Sequence, residues 1–219
     1  KMKSNKRVII IGGSKGIGKA VSNELKKISS NVISCSRKII DTSNINSVEN
    51  FLKKNKSADV LVLNTGGPSP KDFYKINLNE WYKYFNQLFL GFALILQKIK
   101  IRKNGYVFLI SSSIVKEPAM GLDISSALRS GFVSLLKSVS QHKSNNKVCF
   151  VNIAPGPFKT DRLKKLVKNM KDYEKNLPSG KIGDPIEIGK FVRFIVEENL
   201  KYINGTTIYL DGNINKSII

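Results

Sequence analysis

The stretch "VIIIGGSKGIGKAV", residues 8–21, sets Gly12, Gly13, Gly16 and Gly18 between a β-branched apolar run and a segment of helical period. Val8 and the three isoleucines after it suit a buried strand, and the helical spacing begins at Ile17. Glycines at such a junction permit a tight turn and let backbone approach a phosphate closely. Amides at the start of the following helix then face the anion, which makes Gly12, Ser14, Lys15, Gly16, Ile17 and Gly18 candidate ligand contacts.

Outward from this turn the chain alternates short β-branched runs with longer helical segments. Strands are predicted over residues 7–11, 31–35, 59–63, 105–110, 148–153 and 206–210, and helices over 17–28, 45–54, 78–101, 125–142, 161–176 and 185–198. The strand runs are nearly continuous in apolar character, as in strands covered on both faces, so the expected fold is α/β: a doubly wound parallel sheet with right-handed crossovers. Asp184-Pro185 supplies a cap and a first-turn proline for the last helix, and Asp123 is the expected cap of the helix near 125. With 219 residues and no repeat, linker or composition shift, one domain spanning residues 1–219 is expected.

Lys and Arg number 37 against 16 Asp and Glu, a net charge of +21. That excess alone suggests an acidic partner, but 31 of the cations are lysines spread over many segments. No nucleic-acid-binding motif accompanies them, so no nucleic-acid partner is expected; the densest cluster, Lys164, Lys165, Lys168 and Lys171, reads as a solvated helix face. Cys35 and Cys149 lie in or beside apolar runs, as small buried hydrophobes do. The longest apolar runs are far too short to span a membrane, so neither a membrane nor an oxidising compartment is expected, and the location expected is cytoplasmic. A single histidine, His142, excludes a His-dependent triad, and no carboxylate or cysteine cluster has the form of a metal site.

The spacing Gly12-x-x-x-Gly16-x-Gly18 resembles the glycine motif of the short-chain dehydrogenases/reductases. "DVLVLNTGG" resembles that family's Asn-Asn-Ala-Gly motif through Leu63, Asn64, Thr65 and Gly66. "APGPFKT" resembles its Pro-Gly-x-x-x-Thr turn through Pro155, Gly156 and Thr160, and "KIGDPIEIG" and "YINGTTIYLDG" resemble its C-terminal signatures. The resemblance implies a Rossmann fold, a nicotinamide dinucleotide held by these residues, and dimers or tetramers that pair the two long helices, with Phe89, Phe92 and Phe132 as candidate interface residues. Where an acidic residue would bind the ribose 2′-hydroxyl of NAD, this chain has Ser36-Arg37; Arg37, helped by Lys15, suits the 2′-phosphate of NADP, so NADP(H) is preferred over NAD(H).

Two departures from the family pattern stand out. Between Arg37 and Asp59 the chain is too short for a helix, a strand and a second helix. The helix after the second strand is expected to be missing, any third strand to be a vestigial edge around Ile39-Ile40, and Asp41-Thr42 to sit near the adenine.

The second departure is catalytic. The resemblance puts Ser112 at the family's substrate-orienting Ser, Ser125 where the proton-transferring Tyr stands, Arg129 in place of Lys, and Leu88 in place of Asn. Ser125 and Arg129, four apart, share a helix face. A phenol near pKa 10 can be tuned to working range, but an aliphatic hydroxyl starts much farther away and a guanidinium does not give up its proton. Ser125 is therefore read as a vacancy, Arg129 as a cofactor or anion contact, and Lys116 or Glu117, just past Ser112, as substitutes for the missing acid.

The "NTGGP" run and "LRSG" helix resemble a divergent β-ketoacyl-carrier-protein-reductase-like branch lacking the Tyr and Lys. The resemblance implies an oxidoreductase moving hydride between NADP(H) and a small-molecule carbonyl or alcohol. The alternative is a catalytically impaired NADP(H)-binding sensor or oligomer partner. A substrate loop is expected at 160–178.

Overall fold

The computed structural model describes residues 3–142 and 147–218. Six strands, β1 (Ser4–Ile10), β2 (Ser29–Ser34), β3 (Ser57–Asn64), β4 (Lys100–Ile110), β5 (Cys149–Pro155) and β6 (Thr206–Leu210), form one sheet in the order β2-β1-β3-β4-β5-β6. Every pairing is parallel, with Ile9 opposite Ile33 and Leu61, and Val107 opposite Phe150. This is the doubly wound order with the strand beyond β2 removed.

Helices cover both faces, which is why the strand runs are apolar without alternation. On one side Ile9, Leu61, Leu63, Val107 and Leu109 pack with Phe51 and Leu52 of α2 (Ile45–Lys54), with Phe92 and Ile95 of α4 (Gly91–Lys98), and with Phe132 and Leu136 of α5 (Asp123–Ser140). On the other, Val8, Ile10, Val62, Phe108 and Ile153 pack with Val21 and Leu25 of α1 (Gly16–Leu25) and with Ile188, Val192 and Ile195 of α8 (Pro185–Glu197). α1 and α8 approach so closely that a Cβ on Gly189 would lie 2.7 Å from the Ala20 carbonyl oxygen. As expected, the Asp184 side chain caps α8, accepting from the Ile186 amide.

Several expectations are corrected. No third strand forms at Ile39-Ile40: both amides donate to the Ser36 carbonyl, closing a turn, and Ile40 drops into the core beside Cys35 and Phe51. The helix expected over 78–101 is α3 (Leu78–Phe85), a π-helical turn over Asn86–Leu90, and α4, and residues 100–101 already belong to β4. Residues 161–176 break into α6 (Asp161–Leu166) and α7 (Met170–Lys175), each started by a side-chain cap, Thr160 and Asn169. Asp123 does not cap α5; it occupies the first turn, after a Leu122 cap that makes no side-chain bond. Phe92 and Phe132, each 1% exposed, are core residues in edge-to-face contact rather than interface residues; only Phe89 of the three is partly exposed.

Candidate active site

A cavity of about 650 Å³, within the range of small-molecule and cofactor sites, opens where the carboxyl ends of β1, β3, β4 and β5 meet the loops that follow them. Gly12, Ser14, Lys15, Gly16, Ile17, Arg37, Asn64, Gly66, Ser112, Ser125, Arg129, Pro155, Gly156 and Thr160 all line it, as do Asp41 and Thr42. Gly18 sits just behind the wall, where it sets the turn. Lys116 and Glu117 also lie outside the lining.

The glycine turn is fixed by close backbone approaches. Gly12 adopts φ +66°, and a Cβ there would lie 2.2 Å from the Asn64 carbonyl oxygen; one on Gly18 would lie 2.1 Å from the Gly12 carbonyl oxygen. The Asn64 side chain donates from Nδ2 to that Gly12 oxygen at 3.0 Å, tying the end of β3 to the turn. The α1 cap, Lys15, offers no side-chain bond, so the first amides of α1 remain free to donate to an anion. Thr160 reaches this turn from across the cavity, its Cγ2 3.1 Å from where a Gly16 Cβ would be. Lys15 and Arg37 are exposed at the rim.

At the start of α5 the architecture is different. Arg129 is 8% exposed and most of its guanidinium donors are used on the protein. Nε donates to Ser125 Oγ at 3.1 Å, Nη1 to the carbonyls of Ser111 (3.3 Å) and Ile110 (3.5 Å), and Nη2 to the Thr65 carbonyl at 3.0 Å. Burial, and then the nearby Arg162, lower its pKa to about 10, which still leaves it cationic at neutral pH. The one-face geometry of Ser125 and Arg129 therefore holds, but Ser125 Oγ accepts from a cation rather than being activated by a base. Ser112, partly exposed to the cavity, caps the short 3₁₀ turn Ser113–Val115 by accepting from the Ile114 amide.

Lys116 points elsewhere: its ammonium donates to the Ser217 carbonyl at 2.5 Å and lies over the Tyr209 ring. Glu117 Oε1 accepts the amides of Lys216 and Ser217, and these bonds hold its carboxyl below the usual range. Both residues pin the C-terminal segment.

Three cavity-region residues were missed by sequence reasoning. Gln87, in the π-helical turn, is buried beside the aligned Leu88 and donates from Nε2 to the Gly66 carbonyl at 2.6 Å. Arg162, in the first turn of α6, donates from Nη1 to the Gly67 carbonyl at 2.7 Å and from Nη2 to the Pro68 carbonyl at 2.6 Å. Tyr173 of α7 brings the only phenol to the cavity wall among the described residues, its pKa raised by burial.

The family model described as enoyl-(acyl carrier protein) reductase matches residues 6–215. A 3-oxoacyl-[acyl-carrier-protein] reductase FabG of Chlamydia trachomatis is 24% identical over 241 residues, covering 96% of this chain and 97% of that one. A FabG of Aquifex aeolicus is 27% identical over 214 residues, covering 94% of this chain and 86% of that one. A short chain dehydrogenase from Burkholderia cenocepacia, solved in complex with NADP, superposes with a TM-score of 0.86 at 17% identity, covering 98% of this chain and all (100%) of that one. With a family match running through the glycine turn, the cavity wall and the last strand, the chain belongs to the short-chain dehydrogenases/reductases.

Proposed function

We propose that this protein is an NADP(H)-dependent oxidoreductase that moves hydride between the cofactor and a carbonyl or alcohol of a small-molecule substrate. The observation that carries this reading is the convergence, in one cavity, of a glycine turn with free helix amides, the rim cations Lys15 and Arg37, and Ser112. Gly12, Ser14, Gly16, Ile17 and Gly18 would hold the pyrophosphate, Arg37 and Lys15 the 2′-phosphate, and Asn64, Gly66, Pro155, Gly156 and Thr160 the remainder. A Cβ on Gly66 would meet nothing within 4 Å, so the wall there is open to a bound group. Several solved relatives carry NADP or NADPH, which supports the same choice.

The cofactor, when bound, supplies or takes the hydride. Ser112 presents a hydroxyl to the substrate oxygen. Arg129 acts as a positioning residue: it holds the backbone at Thr65 and Ser111 and lends a fixed positive charge to the catalytic corner. A proton cannot come from its guanidinium, and Ser125 takes no part in proton transfer. Solvent or Tyr173 completes the transfer, and a Tyr173→Phe variant separates them, since a positioned general acid contributes roughly a hundredfold or more.

The whole chain acts as one domain in this reading. The face formed by α3, α4 and α5, where partly exposed Phe89 stacks on exposed Phe85, would pair two subunits as a homodimer or half of a homotetramer. The buried free thiols Cys35 and Cys149 suit a cytoplasmic location. NADPH oxidation across a panel of carbonyl compounds tests the activity: turnover on any of them supports it, and tight NADPH binding without turnover on any overturns it.

A further inference from the structure

The two guanidiniums of the cavity converge on one spot. If Gly67 carried a Cβ, that atom would lie 3.1 Å from Ser125 Oγ, 3.4 Å from Arg129 Nη2 and 3.8 Å from Arg162 Nη2. Gly67 has no Cβ, so Ser125 and both guanidiniums come close to the backbone there and face one part of the cavity. Arg129 reaches it from α5 and Arg162 from α6, on the far side of the loop after β3, and both line the cavity.

Like charges held together need a counter-charge, and among the described residues neither arginine forms an ion pair with a carboxylate. Backbone carbonyls satisfy part of each fork without neutralising it. Of five N–H donors on a guanidinium, Arg129 has one left on Nη2, and Arg162, held by only two bonds, keeps Nε and one donor on each terminal nitrogen. These donors, with the Ser125 hydroxyl, match a planar two-oxygen acceptor.

Resting on the NADP(H) reading above, we propose that the substrate carries a carboxylate, held over Gly67 by Arg162, Arg129 and Ser125. The vacancy left by the family's Tyr and Lys is in this view a recognition site: a small hydroxyl at position 125 leaves room for the anion, and Arg129 supplies a charge that does not titrate away. The cofactor's phosphates are a different destination, since their cradle is the glycine turn with Thr160 and the rim cations.

The test uses the full chain saturated with NADPH. Pyruvate, acetoacetate and benzoate are compared with their methyl esters at millimolar concentration, reading the rise in Tm and the apparent Kd. At least one acid is expected to bind roughly ten- to a hundredfold tighter than its ester, the worth of a charge-assisted pair. Arg162→Gln abolishes that preference and Arg162→Lys keeps part of it. Gly67→Ala, whose methyl crowds Ser125 Oγ and Arg129 Nη2 without removing a charge, also abolishes it, and in all three NADPH affinity stays within about twofold of wild type. The proposal is overturned if no acid is preferred to its ester, or if Arg162→Gln and Gly67→Ala discriminate as wild type does. It is also overturned if the preference exists only in the free protein and NADPH removes it, for then the anion bound is the cofactor's phosphate. If NADPH itself fails to bind, the cofactor reading falls, and acid against ester on the free protein still decides the anion site.

Discussion

The two ends of the cavity are built on different principles. At the glycine turn the contacts are backbone against backbone: Gly12 and Gly18 stand where any Cβ would strike a carbonyl oxygen at little more than 2 Å. At the start of α5 the contacts are side chain against backbone, one guanidinium bracing the ends of β3 and β4 through Thr65 and Ser111. The first arrangement tolerates only glycine, and the spacing of the family is kept there. In the second, the brace uses a long side chain with several donors and no titrating group, and Arg129 supplies it. The turn here leaves room for glycine alone, whereas the brace needs only reach and donors.

The contrast can be broken most severely at the turn. Gly12→Ala combines left-handed backbone with a clash against Asn64 and should destabilise the protein by about 3 kcal/mol, with loss of NADPH binding; urea unfolding and a cofactor titration check it, and a stable variant that binds normally would show that the turn is not sterically fixed. Arg129→Met strips buried carbonyls of their donors and is expected to cost about 2 kcal/mol, part of the loss being offset by removing a buried charge. If that variant were as stable as wild type, the brace would be no brace.

Arg37→Ser sharpens the comparison at the rim. An exposed cation bound to a phosphate contributes on the order of tenfold, so NADPH should weaken by about that factor while NADH is unaffected. Lys116→Ala should do least: its partner is a C-terminal carbonyl outside the cavity, and its loss is expected to change stability by under about 0.5 kcal/mol and turnover not at all. A large drop in turnover would return Lys116 to the catalytic candidates.

Sequence alone reveals what is local. The glycine turn, the Asn64 and Pro155 loops and the alternation of strands with helices are each encoded within a few residues, and even the shortened connection after β2 follows from counting. The parts that were not legible depend on distant contacts. A π-helical turn shifts the helix register so that Gln87 meets Gly66 beside the aligned Leu88, and a period of 3.6 cannot reveal it. The break between α6 and α7 is set by local caps, but Arg162's grip on Gly67 and Pro68 joins residues about a hundred positions apart and has no signature in either segment. Phe92 and Phe132 read as candidates for an interface because apolar character is shared by core and contact surface; packing decides between them.

The central proposal is that the steric end of the cavity is a working NADP(H) site, although the resemblance puts Ser125 and Arg129 where the family carries Tyr and Lys. Fluorescence titration of the purified full chain with NADPH and, separately, NADH tests it most directly. Saturable NADPH binding, about tenfold or more tighter than NADH, is the expected result; binding of neither cofactor, or a clear preference for NADH, would contradict the account.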